Sequence, residues 1–266
     1  MKFAGIIAEY DPFHNGHAWQ LAQAKALGAE RVAVAMSCSL VQRGALPLLP
    51  EAVRTRSALT CGADLVFALP APCACAGAEA FARAGVALLA AAGCDGLVFG
   101  AETPDAALLM EAAELLDSGS YRAALKAQLA GGARSFAAAR QAAATQLASD
   151  ERVAALLDKP NNNLAVEYCR AIRSLAPRME AYPLPRQGAD HGEALHSAHG
   201  QFASASALRK LWAEGGADAV APYVPEAVFP LYQEAYAAGQ YTDFSAAGRC
   251  ELALLRSACR DKAPFA

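Results

Sequence analysis

The sequence predicts an α/β protein: a doubly wound parallel sheet with a largely helical addition. Three observations predict it. Short apolar runs rich in β-branched residues recur through the first hundred positions. Each is separated from the next by a segment of helical length, as parallel strands covered on both faces require. From about residue 104 the pattern turns all-helical before one more strand-like run returns.

The first run, "KFAGIIAE", ends in a polar turn, and "HAWQLAQAKALGA" follows with helical spacing at Trp19, Leu21, Ala24 and Leu27. "RVAVAMS" (31–37) is the second strand. A helix is expected near 51–61, a strand at 64–70, a helix at 77–93 and a strand at 95–100. Pro104 and Asp105 open the helical stretch, four helices are expected in it, and Gly119, Gly131 and Gly132 punctuate them. "RMEAYPLPR" (178–186) reads as a strand, the residues after it as a polar loop, and "SASALRKLWAEGG" (204–216) as a capped helix closed by glycines. The final fifty residues are again helical. The expected organisation is an α/β domain over 1–213, including a helical insertion at about 104–175, and a helical segment over 214–266.

The 266 residues are 55% hydrophobic, yet no run approaches the roughly 20 apolar residues of a membrane-spanning helix. An acid and a proline within the first dozen positions do not suit a signal peptide. A soluble cytoplasmic protein with no membrane partner is expected. A net charge of -3 excludes a chain coated in positive charge for indiscriminate nucleic-acid binding. The eight cysteines form no CxxC pair and read as buried thiols rather than zinc ligands. Asp190, His191, Glu193, His196 and His199 crowd a Gly/Ala/Ser loop, which reads as a polar loop and not as a metal site.

The chemistry concentrates in "YDPFHNGHAW". His14 and His17 stand three apart where the first strand gives way to the first helix, with Pro12 fixing φ and Gly16 permitting a tight approach. Both imidazoles can face one spot beyond the carboxyl end of a parallel strand and beside a helix N-terminus, a place that suits a phosphate. Neither a GxxxxGK[ST] loop nor a GxGxxG fingerprint is present there. Histidines so placed would stabilise charge developing on an α-phosphate as pyrophosphate leaves, worth about 3 to 4 kcal/mol per donor.

"GIIAEYDPFHNGH" resembles the HxGH nucleotidyltransferase superfamily. The longer string, with "MSCSLVQRG", "GADLVFALP", "GAEAFARAGVALL", "LVFGAET", "KPNNNLAVEY", "RQGADH" and "SASALRK" in order, resembles the bacterial tRNA(Met) cytidine acetate ligase family. The resemblance implies a Rossmann-like sheet of the HxGH type. It implies an ATP-dependent activation of acetate to acetyl-adenylate, with magnesium carried by ATP, and acetyl transfer to the wobble cytidine of elongator tRNA(Met), giving N4-acetylcytidine.

By the same likeness ATP would be contacted by Ile7, Ala8, Glu9, Tyr10, Pro12, Phe13, His14, Asn15, Gly16, His17 and Gln20, by Gly100, by Asn161 or Asn162, and by Arg186 with Gln187. Gly100 ends a strand at the sheet's carboxyl edge, where a missing Cβ admits a base or ribose. Asn161 and Asn162 follow Pro160 at a helix start, one as a cap and the other as a ligand. Arg186 is a planar donor fit for phosphate or base. Ser204 or Ser206 caps a helix whose first turn carries Arg209, so that hydroxyls, backbone N–H groups and a guanidinium would converge on the β- and γ-phosphates. His14, His17 and Arg209 are the expected catalytic set. Gln42 and Arg43 lie in the segment expected to keep water from the adenylate.

The chain departs from the family pattern at Asp11, Cys38, Ser39 and Glu51, and an acid at 51 beside a polyphosphate would weaken binding. Typical members continue well past Ala266, so a C-terminal portion is expected to be missing. Residues 119–148 carry Arg122, Lys126, Arg134 and Arg140 and no acid, whereas 102–117 carry five acids and no base. That basic face is the expected RNA contact. Two other readings stay open: a nucleotidyltransferase making a nucleotide cofactor or activated headgroup, and a non-catalytic nucleotide or RNA binder. The oligomeric state is not legible.

Overall fold

The computed structural model describes residues 1–132, 135–185, 195–197 and 200–260. Five strands, β1 (Phe3–Ala8), β2 (Arg31–Ser37), β3 (Leu65–Leu69), β4 (Gly96–Ala101) and β5 (Glu180–Pro185), form one sheet in the order β3-β2-β1-β4-β5. Every neighbouring pair is parallel. The winding reverses between β1 and β4, and at that switch point the carboxyl ends of the strands open a crevice.

Between the strands run α1 (Asn15–Ala26), α2 (Glu51–Thr60), the single turn α3 (Ala71–Ala74) and α4 (Ala78–Ala91). The crossover from β4 to β5 holds five helices rather than the four expected: α5 (Ala106–Asp117), α6 (Gly119–Ala130), α7 (Phe136–Leu147), the short α8 (Glu151–Ala155) and α9 (Pro160–Leu175). After β5, part of the expected polar loop forms a small antiparallel pair, β6 (Leu195–Ser197) and β7 (Gly200–Phe202). Then come α10 (Ala205–Val220), α11 (Phe229–Ala237) and α12 (Phe244–Arg260). Helix α10 runs across residue 213 and breaks at Gly216, whose φ of 67° only glycine adopts readily.

Strand alternation divides the core into two layers. Ala4 and Ile6 of β1, with Val34 and Met36 of β2, meet Leu21 of α1, Val53 of α2, Trp212 of α10 and Tyr232 of α11. The opposite parity, Leu97 and Phe99 of β4 with Ala33 and Ala35, meets Phe81 and Val86 of α4, Leu109 of α5 and Val166 of α9. Each fully buried Val, Leu, Ile or Phe side chain contributes about 1.5 to 3 kcal/mol, so both layers stabilise the sheet between them. Helix α4 sits very close to β1: a Cβ built on Gly85 would lie 2.5 Å from Ile7 Cδ1. Only glycine allows that approach.

At the amino edge, carboxylates pin the strand starts. Asp95 accepts from the backbone N–H groups of Lys2 (2.8 Å) and Phe3 (2.9 Å), and Asp64 Oδ2 from Val32 N (2.7 Å) and Lys25 Nζ (2.7 Å). Among the described residues no helix is long and apolar enough to cross a membrane, and no three His, Cys, Asp or Glu side chains gather as a metal site. Of the loop residues doubted as ligands, Asp190, His191, Glu193 and His199 lie outside the described residues.

Candidate active site

A cleft of about 370 Å³ opens at the switch point. Its floor is the end of β1 and the loop that follows, its sides are Gly100 and the end of β5, and its far wall is α9 with the start of α10. The starts of α1 and α10 both line this space, which brings the positive ends of two helix dipoles to one place.

Helix α1 begins at Asn15, two residues before the expected start, because His14 is its cap. The Gly16 N–H donates to His14 Nδ1 at 3.0 Å, and the His14 N–H donates to His17 Nδ1 at 3.3 Å, a reciprocal cap made of two imidazoles. Their rings stack with centroids 3.8 Å apart. A nitrogen that accepts a hydrogen bond carries no proton, so in the neutral rings the proton rests on Nε2 and makes each histidine a donor there. Gly16 is required by this packing, since a Cβ would lie 2.9 Å from His14 Cε1.

The loop bearing the histidines is tied on every side. Tyr10 takes a left-handed φ of 50°, unfavourable for a tyrosine, and is held there by burial between Phe13 and His17. Burial also drives its hydroxyl pKa up. Asp11, 5% exposed, accepts from Leu48 N at 2.6 Å and from Arg209 Nη1 at 3.1 Å. Burial raises the Asp11 carboxyl above the ordinary range, against the opposing pull of the Leu48 N–H and the Arg209 and Arg54 charges. Tyr232 Oη donates to Phe13 O at 2.7 Å, and Asn15 Nδ2 to Pro222 O at 3.3 Å.

Among the described residues the largest fully buried side chain is one that the sequence did not single out. Arg54 of α2 is 0% exposed and spends its guanidinium on main-chain carbonyls: Leu49 O at 3.0 Å, Glu9 O at 2.7 Å, Ser37 O at 2.7 Å, and Cys38 O. It thus binds the carboxyl ends of β1 and β2 together beneath the cleft. Desolvation pulls its pKa down, with Asp11 the foremost opposing charge. Within "EAVRTR" it reads as a surface arginine, and no local signal distinguishes it.

The expected ligand residues divide. Ile7, Ala8, Glu9, Tyr10, His14, Gly16, His17, Gln20, Gly100, Asn161 and Ser204 line the cleft, as does Gln42, whose backbone N–H donates to Glu9 Oε1 at 2.5 Å. Pro12, Phe13, Asn15 and Asn162 do not. Phe13 is core, Asn15 is turned to Pro222, and Asn162 is buried with its side chain bonded to Thr103. Ser206 is exposed and paired with Ser204 at 3.0 Å. Arg209 reaches Asp11 instead of the cleft, so the serines and the arginine do not converge on one point. Arg186, Gln187 and Arg134 lie outside the described residues, as does the side chain of Arg43.

Sequence reasoning missed Glu102, whose carboxylate accepts from the Asn161 side chain (2.5 Å) and the Asn162 backbone N–H (2.6 Å), capping α9 from outside. It also missed the apolar wall of Phe81, Phe99, Leu164 and Tyr168. Glu51 is exposed in the first turn of α2, where a carboxylate suits the helix dipole, and does not line the cleft. Cys38 Sγ meets Leu69 O at 3.2 Å. Of the expected RNA-contacting residues, Arg122 and Lys126 are exposed on α6, whereas Arg140 is bound to Glu167 at 2.6 Å.

The sequence pattern of the HIGH Nucleotidyl Transferase family matches residues 1–259. The chain belongs to the HIGH nucleotidyl transferase family. The chain is 41% identical over 218 residues to a tRNA(Met) cytidine acetate ligase of Syntrophotalea carbinolica, covering 81% of the chain and 52% of that protein. It is 35% identical over 244 residues to one of Caldanaerobacter subterraneus, covering 90% and 60%. A crystal structure of Thermotoga maritima TmcAL bound with alpha-thio ATP superposes with a TM-score of 0.81 at 30% identity, covering 91% of the chain and 57% of that chain. The chain spans about half the length of the curated relatives it matches.

Proposed function

We propose that this chain binds ATP in the switch-point cleft, activates acetate as acetyl-adenylate, and passes the acetyl group to the wobble cytidine of elongator tRNA(Met). The observation that carries the reading is the reciprocal histidine cap: two Nε2–H donors held at the N-terminus of α1, in a cleft that the N-terminus of α10 also lines, at the crevice of a parallel sheet. The names of its relatives and the ATP analogue in Thermotoga maritima TmcAL support it.

In the first step a carboxylate oxygen of acetate attacks the α-phosphorus, and the bond to the bridging oxygen breaks, so pyrophosphate departs with the electron pair. His14 and His17 donate to the oxygens on which charge grows, while Ser204 and the first N–H groups of α10 hold the outgoing phosphates. Gly100 and Asn161 face the nucleoside. In the second step the exocyclic amine of cytidine attacks the acyl carbon, AMP leaves, and the nitrogen loses a proton. Gln42, fixed to Glu9, closes one side of the cleft against water. Magnesium would arrive with the triphosphate; of the two carboxylates that line the cleft, Asp11 is held by Leu48 N and Arg209, and Glu9 would be the one to add a ligand to the metal.

RNA is met by the α6 face that carries Arg122 and Lys126, in the cytoplasm where tRNA is modified. Residues 1–213, with the helical crossover as an insertion, serve as the nucleotidyltransferase unit and 214–266 as a helical extension. The test is exchange of labelled pyrophosphate into ATP. Exchange that depends on acetate is expected. Exchange that ignores acetate and requires a phosphorylated alcohol would replace this reading with cofactor or headgroup synthesis.

A further inference from the structure

Behind the wall formed by α4 and α9 lies a second cavity of about 550 Å³. The two cavities share that wall. On α9, Leu164 and Tyr168 face the ATP cleft, while Glu167 and Arg170 face the second cavity; on α4, Phe81 faces the first, and Glu79, Ala80 and Arg83 the second. The remaining lining comes from the end of α5, from α6 and from α7.

Four arginines line this cavity, Arg83, Arg122, Arg140 and Arg170, against two acids, Glu79 and Glu167. Two of the four are already committed. Arg140 and Arg170 grip the buried Glu167 at 2.6 and 2.7 Å, and Arg170 also holds Asp117 at 2.8 Å. Arg83 and Arg122 are exposed and have no ion-pair partner among the described residues, Arg83 touching only the Ser174 hydroxyl at 3.1 Å. Beside them Leu116, Tyr121 and Leu125 make an apolar floor, and Phe136 stands 61% exposed at the rim. Two available planar cations next to an exposed ring and an apolar floor complement a ligand with a charged end and a flat apolar face.

We propose that this cavity seats one unstacked nucleotide of the RNA substrate, its phosphate on Arg83 and Arg122 and its base against Phe136. The inference rests on the RNA reading above and gives it a specific place, one helix pair away from the ATP cleft. An unpaired nucleotide is the occupant that uses both halves of the lining, because single-stranded RNA is held by backbone cations and by stacking on aromatic side chains. The committed pair around Glu167 makes the seat rigid before RNA arrives.

The experiment measures binding of an elongator tRNA(Met) transcript to the full chain across a salt series, with binding of ATP measured in parallel. Replacing both exposed cations, Arg83→Ala with Arg122→Ala, should weaken transcript binding at least about tenfold and lower the salt slope by roughly 1.5 to 2. Phe136→Ala should weaken it about fivefold with the slope unchanged, since a ring releases no counterions. ATP affinity should not move in either variant. Transcript binding undiminished in both variants overturns the seat while leaving the RNA reading intact, and so does lost ATP affinity, which would make the cavity a mononucleotide site. Failure of the unaltered chain to bind the transcript overturns the RNA reading as well. Preferential binding of an acidic peptide over the transcript at this face also rejects the seat.

Discussion

The two imidazoles perform a structural and a chemical task with opposite nitrogens: Nδ1 of each closes the start of α1, and Nε2 of each remains a donor. A single substitution separates the tasks. His17→Ala removes one cap acceptor, a loss of about 1 kcal/mol, but should slow acetate-dependent pyrophosphate exchange by about 10²- to 10³-fold. Gly16→Ala leaves both rings present but forces His14 off its position and with it the cap, so it should slow exchange at least about tenfold and also lower the unfolding temperature by a few degrees. Exchange at the unaltered rate in both variants would remove the histidines from the mechanism. This site was legible because a spacing of three in a strand-to-helix turn is local. What the tie of Arg209 to Asp11 required was a contact 198 positions apart, which no local pattern carries.

Among elements, α9 shows how a helix start can be completed from another strand's end. Pro160 opens it, Lys159 supplies no side-chain cap, and the Glu102 carboxylate beyond β4 takes the orphan N–H groups instead. The same carboxylate holds the Asn161 side chain at the cleft. Glu102→Ala should therefore destabilise the protein by about 1 to 2 kcal/mol in urea unfolding and also raise the dissociation constant for ATP. A stability loss with unchanged ATP affinity would mean that Asn161 is not a ligand. The strands were readable one by one because residues buried between two helical layers form unbroken apolar runs. The crossover helices were less so: α8 is a single turn with no periodicity of its own, and the charge of Arg140, counted as available for RNA, is neutralised by Glu167 on a different helix.

For the whole molecule, the sheet is fastened at its amino edge by Asp64 and Asp95. Lys25 and the Val32 N–H outweigh burial and hold Asp64 below the usual carboxylate range. At Asp95 burial acts upward, and the N–H groups of Lys2 and Phe3 overcome it. A carboxylate whose pKa is depressed by folding stabilises the fold above its unfolded value of about 3.9 and loses that contribution as pH falls toward the folded one. Melting temperature should fall between about pH 5 and 3, and Asp95→Asn should flatten that fall while lowering the plateau near neutrality. An unchanged slope would place acid sensitivity elsewhere. Asp11 works in the opposite direction: its raised pKa makes ionisation costly, so its contribution to stability declines as pH climbs through the unfolded value to the folded one. Neither effect was visible in a net charge of -3, which sums charges without placing them.

Arg54 grips the polypeptide solely through carbonyl oxygens, the one chemical group that every amino acid presents alike. Replacement of the side chains at positions 9, 37, 38 and 49 leaves those oxygens in place. The seam under the cleft is thereby indifferent to mutational drift at its own anchor points, which is how a cysteine at 38 can stand in an unfamiliar setting without loosening the floor.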